Sequence, residues 1–300
     1  MTKLFEEGFL RRLEGLALVY RRLANSAMQG ERRSARRGQS VEFADFRPYT
    51  SGDDFRRIDW NAFARLERLF IKLFVEEEDA TLHLVIDASR SMDWGEPNKL
   101  QTAARLAGSL GYIALSGLDR VSIAVLDEGG VRRLPALRGK RAAVTMFDAL
   151  AALRPTQAGQ ASGNGRGRGG AAGWSEFAGQ AGSPGPLVLL SDLMDDGWQA
   201  GLNRLAGRGF EVSLLHVLAP DELQPELAGD FKLVDQENGA EVEISANYET
   251  LERYRRTLQS WQDGWRAFCA PRGLHYLPLN TAAPLEELLF AWLPQAGMLR

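Results

Sequence analysis

The sequence predicts an α/β protein: a mostly parallel sheet with helices on both faces, preceded by a small N-terminal α+β head. Three observations predict it. From residue 81 onward, apolar strand-like runs alternate with helical patterns, the alternation that builds a sheet with crossover helices. The runs TLHLVID, PLVLLSDLMD and FEVSLLHVL are nearly continuous in hydrophobic residues, as strands covered on both faces must be. The first two of these runs meet an aspartate at their carboxyl ends, Asp87 and Asp192.

In chain order, residues 7–28 carry Phe9, Leu10, Leu13, Leu16, Leu18 and Leu23 at helical spacing, which predicts an amphipathic helix. GERRSARRGQS at 30–40 reads as a solvated basic linker. In SGDDFRRIDW, Ser51 or Asp53 is placed to cap a short helical turn, and LFIKLFVEE reads as a strand. TLHLVID is a strand, and NKLQTAARLAGSLGYIALS a helix with Pro97 just before its start. RVSIAVLD and the shorter GVRRLPAL are strands, and KRAAVTMFDALAAL is a helix. Residues 157–186 are rich in Gly, Ala and Ser and predict a flexible insertion. After PLVLLSDLMD come the helix WQAGLNRLAGRG, the strand FEVSLLHVL and a hairpin, FKLVDQENGAEVEIS, with the turn signal Asn238-Gly239. A long helix over 247–273, the strand LHYLPLN and a last helix, APLEELLFAWLPQ, complete the pattern. The head is expected over 1–78 and the sheet domain over 79–300.

Composition narrows the function classes. The chain has 300 residues, 45% hydrophobic and 25% charged, with a formal net charge of -3, so it has no overall bias toward polyanions. Residues 1–72 hold 15 Lys+Arg against 10 Asp+Glu, which makes the head basic and the body acidic. Arg32, Arg33, Arg36 and Arg37, with the GRGRGG stretch, would be the footprint of a nucleic-acid binder, a partner class the overall charge disfavours. The single cysteine, Cys269, cannot form an intrachain disulfide, which suits a reducing compartment. No apolar run is long enough to span a membrane, and the expected location is cytoplasmic.

The chemistry gathers at the strand ends. In open α/β sheets ligands sit beyond the carboxyl ends of the strands, where the strand order reverses. If the strands ending at Asp87 and Asp192 are neighbours, their carboxylates converge, with Ser89 and Ser91 beside them. Several hard oxygens, few of them charged, suit Mg²⁺, with Mn²⁺ or Ca²⁺ as alternatives. Ser89, Ser91 and Asp93 equally suit turn and cap roles. Catalytic patterns are sparse: the chain contains no GxxxxGK[ST], GxSxG or HExxH. His83, His216 and His275 fall inside expected strands, where a lone histidine is usually structural.

Asp-Ala-Ser-Arg-Ser-Met at 87–92 resembles the DxSxS signature of von Willebrand factor A domains, whose metal-ion-dependent adhesion site lies at the top of the first strand. A longer block, Arg47, Tyr49, Gly52, Asp53, Arg56, Ile58, Asp59 and Trp60, followed by a strand and VEEEDATLHLVIDASRSM, resembles the domain of unknown function 58 family. The resemblance implies a von Willebrand factor A-like (Rossmann-like) sheet. It implies Asp87, Ser89, Ser91 and Asp192 as metal ligands, and a threonine from the loop after the second major helix. That loop is the Gly-rich insertion; Thr156, just before it, is a poor candidate by context, and Ser162 or Ser175 within it is no better. It also implies a non-enzymatic adaptor or co-chaperone paired with a MoxR-type AAA+ ATPase and a protein client. The competing reading is a metal-assisted phosphohydrolase using Asp87 and Asp192; the second acid its usual motif wants is replaced by Ser89.

Overall fold

The computed structural model describes residues 4–19, 41–50, 55, 58–76, 80–127, 130–155, 170–195, 197–235 and 240–300. The chain divides into two compact units, Met1–Leu23 with Ala80–Arg300, and Ala24–Asp79. The head expected over 1–78 is therefore split, and its first segment belongs to the large unit. Among the described residues the helix expected over 7–28 is realised as α1 (Glu7–Leu13), and residues 20–28 lie outside them. Leu13 is fully buried in the large unit's apolar cluster, and the backbone then leaves the helix to pair with the far end of the chain. Ala17 and Arg300 exchange both N–H···O bonds, at 2.9 and 3.0 Å, and Leu18 bridges Leu299 antiparallel. Arg32, Arg33, Arg36 and Arg37 lie outside the described residues.

The described residues of the smaller unit form an antiparallel pair, β1 (Val41–Pro48) with β2 (Phe70–Glu76), and between them in sequence the helix α2 (Trp60–Leu66). Asp59 caps that helix, accepting from the backbone N–H of Asn61 and Ala62 at 2.9 and 3.1 Å, as an aspartate at this position should. The cap expected at Ser51 or Asp53 lies outside the described residues, as do Asp54 and Arg56.

The large unit is the predicted sheet. Its strands are β3 (Thr81–Asp87), β4 (Arg120–Asp127), β5 (Gly130–Arg133), β6 (Leu137–Arg138), β7 (Pro186–Ser191), β8 (Glu211–Leu218) and, past a hairpin of β9 (Gly229–Val234) with β10 (Glu241–Ala246), β11 (His275–Asn280). The order across the sheet is β11-β8-β7-β3-β4-β5, and β6 also pairs with β4. All neighbours are parallel except β5 and β6, which run antiparallel to β4. This is the von Willebrand factor A-like arrangement. The chain steps outward from β3 through β4 to β5, then returns to place β7 on the other side of β3. The order thus reverses between β3 and β7, the place where open α/β sheets carry their ligands.

Helices cover both faces. On one lie α1, α3 (Lys99–Ser116), α4 (Ala143–Ala151) and a helical segment built from Leu285–Glu287, the π-helical turn Leu288–Trp292 and Leu293–Gln295. On the other lie α5 (Gly170–Gln180), α6 (Trp198–Gly207) and α8 (Tyr248–Cys269), with α7 (Pro220–Leu223) a single turn between β8 and the hairpin. The insertion expected to be flexible over 157–186 is thus partly ordered. Trp174, Phe177 and Ala178 are fully buried on α5, and this apolar stripe fixes a glycine-rich helix to the sheet. The Trp174 indole N–H donates to the Trp198 carbonyl at 2.9 Å. Gly201 makes the approach possible, since a Cβ there would overlap the Trp174 ring.

Candidate functional site

The parallel pairing of β3 with β7 brings together the two strand ends that carry acids. Asp87 is buried at the end of β3, and one of its oxygens accepts from the Ser89 backbone N–H at 2.9 Å. Its other oxygen accepts from the Ser191 hydroxyl at 2.6 Å. Ser89 and Ser91 lie with their hydroxyls 3.0 Å apart on the turn that follows. Asp192 is buried immediately past β7. The turn after it places Leu193 in the left-handed region (φ 57°). The Leu193 N–H donates to the Ser191 hydroxyl at 2.9 Å, and the Met194 N–H donates to Asp192 at 3.3 Å. All four residues expected at the site are therefore gathered at one crevice. Burial, and after it the charge of Asp192, push the Asp87 carboxyl up to about 7.

Two further charged groups complete the crevice. Lys99, the first residue of α3, is 1% exposed; its ammonium donates to Asp192 Oδ2 at 2.8 Å and to Glu222 Oε1 at 2.6 Å. Glu222, on α7, uses its second oxygen to accept from the Ala219 N–H at 2.7 Å. Desolvation, the largest influence on Lys99, would lower its pKa, but the two carboxylates outweigh it and the pKa is raised. Burial raises the Glu222 pKa against the pull of Lys99. The sequence reading missed both residues. A lysine at the first position of a helix opposes the helix dipole, and this misplacement directly after the DxSxS turn was the available signal. For Glu222 the signal was position, just past the carboxyl end of another central strand.

A divalent ion of the adhesion type would be held by Asp87, Ser89, Ser91 and Asp192. The residues present do not fit one. The Lys99 ammonium already neutralises Asp192, and a second cation beside it meets strong repulsion at low dielectric. Thr156 and Ser162 lie outside the described residues, and Ser175 is exposed on α5.

The remaining candidates are structural. His83 hydrogen-bonds the Ser183 carbonyl at 3.2 Å, and His216 pairs with the Tyr276 hydroxyl at 2.6 Å. Burial pulls both imidazoles down to about 4. Cys269 is buried at the end of α8, and burial pushes its thiol up to about 11, far from a reactive thiolate. The rim of the crevice is different in character. Trp94 is 44% and Met194 51% exposed, and the Trp94 indole N–H donates to Asp221 at 2.9 Å. No described helix is long and apolar enough to cross a membrane.

The model of the family described as "Protein of unknown function DUF58" matches residues 45–262. The uncharacterized protein Rv1480 of Mycobacterium tuberculosis is 26% identical over 237 residues, covering 78% of this chain and 72% of that protein. Mb1516 of Mycobacterium bovis matches to the same extent. Among solved structures, BatB from Bacteroides thetaiotaomicron is 14% identical with a TM-score of 0.42, over 72% of this chain and 96% of that one. An aerotolerance-related membrane protein from Bacteroides fragilis is 19% identical with a TM-score of 0.42, over 72% and 98%. The SpRpn10 VWA domain is 12% identical with a TM-score of 0.36, over 71% and 94%.

Proposed function

The chain belongs to the DUF58 family, and from that premise we propose that it is a protein-interaction module whose partner docks at the carboxyl ends of β3 and β7. The observation that carries this reading is the composition of that face. A buried charged cluster lies beside two exposed apolar side chains, Trp94 and Met194, and acidic Asp221. Aromatic and methionine side chains are enriched in protein interfaces. The chemistry available at the crevice is recognition. Asp87 holds the turn, Asp192 and Glu222 hold Lys99, and none of these pairs joins a nucleophile to a base and an oxyanion site.

The partner we propose is an AAA+ ATPase of the MoxR type, with the module acting as adaptor for a protein client. Support for this part is the family resemblance alone. The test is to mix the purified chain with the purified MoxR-type ATPase of the same organism and measure complex formation by analytical ultracentrifugation. A complex is expected with the native chain and a strongly weakened one with Trp94→Asp/Met194→Asp. No complex with the native chain would remove the ATPase reading. An unweakened complex with the double variant would move the interface off this face.

A further inference from the structure

We propose that Glu222 is an exchangeable carboxylate seated on the Lys99 ammonium, and that the same seat accepts a carboxylate side chain from a protein partner, with Lys99 and not a divalent ion as the cation. The inference rests on the docking face proposed above and names the chemistry recognised there.

The two carboxylates on Lys99 are not equivalent. Asp192 is 1% exposed and lies at the end of a central strand, its second oxygen held by the Met194 N–H. Glu222 is 16% exposed and lies on α7, a single helical turn past β8. One is part of the sheet; the other reaches in from the surface. The seat Glu222 occupies is built from one ammonium and one backbone N–H. Lys99 Nζ meets Oε1 at 2.6 Å, and Ala219 N–H meets Oε2 at 2.7 Å. Two donors, one for each oxygen, match a planar carboxylate, and charge-assisted bonds of this kind are directional.

The turn carrying Glu222 is held partly by its own carboxylate, which closes a capping box onto the Ala219 N–H, and partly by contacts that do not involve it. Tyr254 donates to the Glu222 carbonyl at 2.7 Å, and Trp94 donates to Asp221 at 2.9 Å. Withdrawing the side chain gives up the capping-box bond, while the Tyr254 and Trp94 contacts remain to hold the turn and keep the seat near Lys99. It leaves Lys99 buried with one carboxylate in place of two, and such an ammonium demands a replacement anion. Burial already raises the Glu222 pKa, so its charged form is less comfortable there than in water. A carboxylate delivered with apolar contacts to Trp94 at the rim has an advantage that Glu222 lacks.

The experiment needs no partner, so its failure is separate from failure of the docking reading. Thermal unfolding of Glu222→Ala is compared in sodium acetate and in sodium chloride at equal ionic strength. Acetate is the probe, a free carboxylate small enough for the vacated seat. Acetate is expected to raise Tm above its value in chloride by a few degrees at roughly tenfold excess over its dissociation constant. The double variant Lys99→Met/Glu222→Ala should show no acetate-specific rise. Glu222→Gln fills the volume with a neutral group and should show the same sign with a smaller amplitude, which gives a readout if the alanine variant does not fold. Equal Tm in the two salts for both single variants, or an equal acetate gain in the double variant, overturns the proposal.

Discussion

The two ends of β3 solve the same problem in opposite ways. His83 near the amino end and Asp87 at the carboxyl end lie four residues apart on one strand, and both are buried. Charged, either would be costly there. His83 stays neutral by giving up its proton early, pulled down to about 4 by burial. Asp87 holds its proton late, pushed up to about 7. Around Asp87, however, the structure keeps charge: Lys99, Asp192 and Glu222 are all ionisable, interlocked and buried or nearly so. The amino end is a packed edge of the core. The carboxyl end holds a charged cluster that an apolar replacement of the same volume would often match in stability.

The contrast can be broken most severely at Lys99. Lys99→Met strands Asp192 and Glu222 without their ammonium, and removing one partner of a buried pair costs about 3–5 kcal/mol. Chemical denaturation should report a loss of that order. A loss below about 1 kcal/mol, the level of an exposed pair, would mean the cluster is solvated. At the other end, His83→Gln removes one long hydrogen bond and an edge-on contact with Phe210. Its loss should be nearer 1–2 kcal/mol, and a larger loss than that of Lys99→Met would invert the comparison.

Acid sharpens it further. His83 and His216 have folded pKa values near 4, below the ordinary 6.5. Their contribution is complete above pH 6.5 and is lost as pH falls toward 4, because the unfolded chain binds the protons first. Asp87 works the other way. Its folded pKa near 7 exceeds 3.8, so its contribution is complete below 3.8 and is lost as pH rises to 7. Tm measured from pH 7 down to 4 should therefore fall more steeply in Asp87→Asn than in the native chain. In His83→Gln it should fall less steeply. Parallel curves for Asp87→Asn and the native chain would show that Asp87 does not titrate in this window.

Much of this architecture was readable in the residues. Strands covered on both faces must be apolar throughout, so β3, β7 and β8 announced themselves, and the strand-end rule singled out Asp87 and Asp192 before their adjacency was known. Lys99 and Glu222 were harder, because their meeting depends on α3 and the turn after β8 converging from distant parts of the chain. The helix α5 was hidden by composition: its glycines and alanines suggested a loop, while the informative signal was the spacing of Trp174, Phe177 and Ala178. The N-terminal periodicity misled for the opposite reason. Leu16 and Leu18 do pack against the core, but as extended chain beyond Gly15, where tertiary pairing overrides helical propensity.

The pairing of Ala17 with Arg300 also makes time a factor. The large unit is assembled from Met1–Leu23 and Ala80–Arg300, so the segment at Ala17 must wait on the ribosome for a partner that is made much later. Until Met298, Leu299 and Arg300 emerge, Leu18 has no backbone to join, and the apolar side chains behind α1 stand open to water and to other nascent chains. Translation halted before Met298 would undo two places at once: the segment at Leu299 and the one at Leu18 that pairs with it.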